Sequence, residues 1–185
     1  MTVTVVGIGG SVRPDSQSER VLHAALEGAR EAGAKVRAIT GSDLDLPFYD
    51  PHVTERSANA AELVEALRTA DGVLIASPGY HGTVSGLVKN ALDYVEDLRG
   101  DARPYLDGRA VGCIGTAYGW QATVTTLQAL RSVVHALRGW PTPLGGAVNS
   151  AETRFDADGT CEDEKVTATL RTIGRQVVEF AERRV

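Results

Sequence analysis

Gly9-Gly10-Ser11-Val12-Arg13-Pro14-Asp15-Ser16-Gln17-Ser18 lies between two patterned stretches. Before it runs the apolar, β-branched Val3-Thr4-Val5-Val6-Gly7-Ile8; after it, Val21, Leu22, Ala25, Leu26 and Ala29 share one helical face. A strand that turns through glycine into a helix start aims free backbone N–H groups and the positive dipole end at one point. The hydroxyls of Ser11, Ser16 and Ser18 and the guanidinium of Arg13 turn that point into a socket for a terminal phosphate. Gln17 falls inside the same candidate site. Ser16 also reads as a helix N-cap with Glu19 three residues on, a capping box compatible with anion binding.

Other phosphate loops fit less well. A Walker loop reads G-x-x-x-x-G-K-[ST], and no lysine occupies this turn. A dinucleotide fingerprint needs a third glycine for close helix packing and holds its diester mainly by backbone. A dianionic monoester has three free oxygens, which suits a turn rich in serine and arginine. The expected ligand is a phosphorylated cofactor.

At 185 residues, the chain is expected to form a single domain spanning 1–185, with 43% hydrophobic and 23% charged residues. A formal net charge of -5 and the lack of a basic stretch argue against nucleic-acid binding. No apolar run is long enough to span a bilayer and no charged-then-apolar leader opens the chain, so the expected location is cytoplasmic, away from membranes. Cys113 sits in an apolar strand pattern and Cys161 in a polar turn; neither has metal-ligand spacing, and no metal is expected.

Strands and helices alternate. A helix over about 18–32 is followed by a strand at Lys35-Val36-Arg37-Ala38-Ile39, then a proline-containing connection from Leu44 to Val53. A helix over about 55–70 leads into Gly72-Val73-Leu74-Ile75-Ala76, a continuous apolar run suited to a central parallel strand. The loop Ser77–Thr83 precedes a helix with Val84, Leu87, Val88, Ala91, Leu92 and Val95 inward. Ala110–Ile114 is the fourth strand, ending in Gly115–Trp120; a helix over about 121–138, a strand including Gly146–Val148 and a helix over about 163–183 complete the pattern. Five strands alternating with five helices specify a doubly wound α/β fold, a parallel sheet with helices on both faces. Ligands in such sheets bind outside the carboxyl ends of the strands, which groups the turns 9–18, 77–83 and 115–120.

Each turn suits a part of FMN. Pro78 restrains its loop, Gly79 and Gly82 remove bulk, and Tyr80 offers an aromatic face or a hydroxyl, so the amides of 79–82 can meet the pyrimidine edge of a flavin. His81 reads equally as a donor to a flavin carbonyl, a wall of a nicotinamide site or a surface histidine. Thr116, Ala117, Tyr118 and Gly119 are placed at the ring's other edge, although Tyr118 and Trp120 also suit a subunit contact. Lys89, Asn90 and Asp93 are assigned no chemistry.

Gly10-Ser11-Val12-Arg13-Pro14-Asp15-Ser16 resembles the G-S-x-R-x-x-S phosphate loop of the NADPH-dependent FMN reductase family. Pro78-Gly79-Tyr80-His81-Gly82 with Leu87-Val88-Lys89-Asn90-Ala91-Leu92-Asp93 resembles its second signature, and Gly115–Gly119 its third, glycine-rich loop. The resemblance implies a flavodoxin-like five-stranded fold, FMN and NAD(P)H as cofactors, and a homodimer or homotetramer. Many relatives carry Glu and then Asn where this chain has Gly79 and His81; two-component flavin reductases associated with alkanesulfonate use are closer there. The expected acceptor is therefore free FMN serving a flavin-dependent monooxygenase, or a small-molecule quinone or azo compound. Hydride transfer between stacked rings needs no protein acid or base, so no catalytic side chain is expected. A flavodoxin-type electron carrier and a flavin-free scaffold are the competing classes.

Overall fold

The computed structural model describes residues 2–13, 16–157 and 159–183. Along the chain run β1 (Thr4–Gly9), α1 (Gln17–Glu31), β2 (Lys35–Thr40), α2 (Ala58–Thr69), β3 (Gly72–Tyr80), β4 (Thr83–Val84) and α3 (Gly86–Asp93). After them come β5 (Ala110–Ala117), α4 (Trp120–Ala136), β6 (Trp140–Pro141), β7 (Gly146–Asn149) and α5 (Glu164–Glu182).

Alternation along β1 sets the layering. Val5 points into one apolar cluster with Leu22, Leu26, Leu170 and Val177 from α1 and α5. Val6 and Ile8 point into the other, with Leu63, Val88 and Leu130 from α2, α3 and α4. A strand buried on both faces needs apolar residues on both, which is why Val5–Ile8 of β1 and Val73–Ala76 of β3 are buried throughout.

The strand order is β2-β1-β3-β5, all parallel, so the chain switches direction across the sheet between β1 and β3. The fold is the expected flavodoxin-like one, with two departures. The fifth position beside β5 is split: β6 pairs with Ala110 and Val111, and β7 with Ile114 through Ala117. Between them, Pro143 offers no N–H, while Thr142 donates its N–H to Val111 O and its hydroxyl to Leu144 O, turning the chain out of the ladder. The other departure is that β3 continues past Ala76. Ser77 and Pro78 stay paired with β5, and Gly79 and Tyr80 form an antiparallel hairpin with β4. Its turn is His81-Gly82, at φ 51° and 90°, the positive values that a two-residue hairpin with the right twist requires.

The proline-containing connection before α2 is held by α3. Asn90 accepts from Tyr49 N at 2.9 Å and donates to Pro47 O at 3.0 Å, while Tyr94 donates its hydroxyl to the same carbonyl. Arg56 grips Asp97 through two bonds of 2.8 and 2.7 Å, stacked over Tyr49. Lys89 pairs with Asp93 on the surface. These residues of the second signature thus build the scaffold. Cys113 is fully buried, and burial pushes its thiol up to about 12, so it behaves as a small apolar core residue.

Candidate functional site

The three loop regions meet at the carboxyl ends of the strands and wall a cleft of about 640 Å³. Ser11, Arg13, Ser16, Gln17 and Ser18 form the side contributed by the start of α1. Pro78, Gly79 and Tyr80 come from the end of β3, and Thr116, Ala117 and Tyr118 from the end of β5. Pro14 and Asp15 of the phosphate-loop pattern lie outside the described residues.

The α1 side is a nest of donors. Ser16 is the N-cap: its Oγ accepts from Glu19 N at 3.2 Å and lies 3.1 Å from the buried Ser18 Oγ. The capping box is only half made, because the Glu19 carboxylate accepts from the Thr40 hydroxyl at 2.9 Å instead of returning to Ser16 N. Ser11 Oγ accepts from Arg13 N at 3.1 Å, curling the turn so that both side chains face the cleft. The approach to this turn is fixed by Gly9, at φ 151°, and by Gly10 N donating to Ala76 O at 3.3 Å.

Several candidate residues take other roles. His81 and Gly82 form the hairpin turn and do not line the cleft, because a turn with positive φ directs them past the end of β3. Gly119 N donates to Asn149 Oδ1 at 2.8 Å, so this amide is committed to holding the start of α4. Gly79 is required by packing: a Cβ there would lie 2.4 Å from Thr126 Oγ1 on α4. Gln17 lines the cleft, yet its amide is engaged on both sides, donating to Phe155 O and accepting from Phe155 N at 2.8 Å each.

That Gln17 clasp brings in residues the sequence reading missed. Arg20, Ala122, Ser150 and Arg154 complete the lining. Arg20 donates to Phe155 O at 2.6 Å, and the segment after β7 is anchored by Asn149 O accepting from Glu152 N and Thr153 N. Arg20, one turn beyond Ser16 on the same helix, carried a local signal. The segment 150–154 carried none, since contacts with residues distant in sequence, Ser150 N to Ala117 O on β5 and Phe155 to Gln17, place it here.

Among the described residues, the lining includes three arginines and no carboxylate, in a chain whose formal charge is -5. Thr116 Oγ1 is buried on the cleft floor with no hydrogen-bond partner among the described residues, as is Arg20 Nε on the wall. Buried polar atoms are seldom left unpaired, and unmet donors beside a basic nest fit a polar, anionic ligand. Tyr80 and Tyr118, 53% and 80% exposed, stand at the mouth with faces free for a planar ring. The donor set fits FMN: hydroxyls, helix N–H groups and Arg13 for its phosphate, and the ends of β3 and β5 for its ring.

The profile of the NADPH-dependent FMN reductase family matches residues 3–153. The chain belongs to that family. It is an NAD(P)H-dependent oxidoreductase that uses FMN. It is similar to an FMN-dependent NADPH-azoreductase of Staphylococcus aureus (strain USA300), 29% identical over 141 residues covering 75% of this chain and 71% of that one. The azoreductase of Staphylococcus haemolyticus is 28% identical over the same span. Among solved structures, a flavoenzyme NAD(P)H:(acceptor) oxidoreductase from Paracoccus denitrificans superposes with a TM-score of 0.81, at 22% identity and 98% coverage of both chains. An apo NADH:FMN oxidoreductase gives 0.71 at 22% identity, covering 98% of this chain and 90% of that one. Those structural likenesses carry the fold. Among the described residues, no helix of this family member is long and apolar enough to cross a membrane.

Proposed function

We propose that this FMN reductase family member works as one flavodoxin-like domain that passes hydride from NAD(P)H to FMN and releases reduced flavin to a partner monooxygenase. The observation that carries the reading is the convergence of the α1 donor nest with the ends of β3 and β5 in one cleft at the strand-order switch. We place it in the cytoplasm, as a homodimer or homotetramer.

FMN, when bound, supplies a ring able to accept a hydride and give up two electrons. The chain's own part is to hold and orient. Ser11, Ser16, Ser18 and Arg13 anchor the phosphate, and the start of α1 adds N–H groups and dipole. Thr116 donates or accepts at the floor, and Pro78 and Gly79 present main chain to one ring edge. Tyr80 and Tyr118 flank the mouth, where a second planar ring enters and water is displaced.

The azoreductase relatives favour a second reading, in which FMN stays bound and an azo or quinone compound enters at the tyrosines. Purified protein mixed with NADPH and FMN, without any partner, is expected to oxidise the nicotinamide, and desalting should strip the flavin. Flavin retained through desalting, with azo-dye reduction, favours the second reading. No nicotinamide oxidation with either acceptor contradicts both.

A further inference from the structure

We propose that Arg154 is the specificity-determining residue for the nicotinamide substrate, recognising the 2′-phosphate that NADPH carries and NADH lacks. The inference deepens the proposed function and rests on it.

The cleft holds more positive charge than one flavin phosphate requires. Arg13 belongs to the donor nest at α1, and Arg20 is bound through Nη1 to Phe155 O. Arg154 differs from both. Its side chain is exposed, and among the described residues it makes one hydrogen bond, from Nε to Ser150 O at 3.3 Å, and no ion pair. Both terminal nitrogens are left to form a two-pronged contact, the geometry in which guanidinium binds phosphate best.

The backbone beneath this free fork is fixed on both sides. Thr153 N donates to Asn149 O at 2.9 Å before it, and Phe155 is clasped by Gln17 after it. An exposed head on an anchored base suits an anion that arrives and leaves each turnover, whereas the N-cap serines, with Ser18 buried, suit a resident one. On its other side Arg154 borders a depression with Glu152, Asp156, Glu162 and Asp163, and pairs with none of them. That acidic side repels phosphate, so an incoming anion meets the guanidinium from the cleft. The family match ends at residue 153, so the assignment concerns a residue outside the matched stretch.

The test compares wild type with Arg154→Gln and Arg154→Lys, using adenosine 2′,5′-bisphosphate and 5′-AMP as calorimetric probes alongside kcat/KM for NADPH and NADH. These two probes differ only by the 2′-phosphate. Wild type is expected to prefer the bisphosphate by about tenfold or more, the scale of hydrogen bonds to a charged group. Arg154→Gln should level that preference and the NADPH/NADH ratio together, and Arg154→Lys should restore part of both. FMN affinity, read by flavin fluorescence quenching, should stay within about twofold in all three, because the resident phosphate sits at α1. A preference that survives Arg154→Gln, or a loss confined to FMN binding, overturns the assignment while leaving the proposed function standing. Absence of nicotinamide oxidation by the wild type overturns that function and this inference with it.

Discussion

Gly9→Ala is expected to destabilise the protein by about 3 kcal/mol or more and to abolish measurable FMN binding. Gly9 ends β1 at φ 151°, where a side chain is strained, and a Cβ there would lie 2.0 Å from Ala76 O on β3. That oxygen belongs to the neighbouring strand of the sheet and cannot swing aside as a side-chain tip would. Relief requires β1 and β3 to part at their carboxyl ends, where Gly10 N also bonds Ala76 O. The turn into α1 would then shift away from Pro78 and Thr116. For a chain of this size the melting temperature should fall by about 6–12 °C. A melt by circular dichroism within about 2 °C of wild type would mean the strand ends are not this close.

The second large effect concerns charge. Arg13→Ala should weaken FMN by about tenfold or more, while riboflavin, which lacks the phosphate, should change by less than about twofold. Arg13 is exposed at the cleft rim and makes no ion pair with any described residue, so the substitution removes a free cation without leaving a buried partner unpaired. The loss should shrink as ionic strength rises. Equal loss for both flavins in parallel fluorescence titrations would move Arg13 from the phosphate to the ring or to the fold.

Local pattern made most of the architecture readable. Val5, Val6 and Ile8 share a strand because each must face apolar surface, and Val21, Leu22, Ala25 and Ala29 recur at the period of a helix. The α1 nest was legible for the same reason, since cap, hydroxyls and arginine are neighbours in sequence. Pairing across the sheet was less legible. Ser77, Pro78 and Gly79 have weak strand preference, and they extend β3 only because β5 and β4 offer partners. The split of the fifth strand follows from Pro143 and the hydrogen bonds of Thr142, whose partner on β5 is distant in sequence. Ser150 and Arg154 were invisible because Ser150 N bonds Ala117 O on a distant strand and the Gln17–Phe155 clasp spans 138 residues. His81 reads from sequence as a flavin or nicotinamide contact or as a surface histidine; its residue type also tolerates the positive φ of a tight hairpin, and it forms that turn.

A crystal structure of the protein with FMN would show directly where the flavin phosphate sits. The phosphate is expected within hydrogen-bond reach of Ser11, Ser16 and Ser18 at the amino end of α1, with Arg13 closing over it and the ring against Pro78 and Thr116. A flavin phosphate seated elsewhere, with those serines bonded only to their own chain, would contradict that placement.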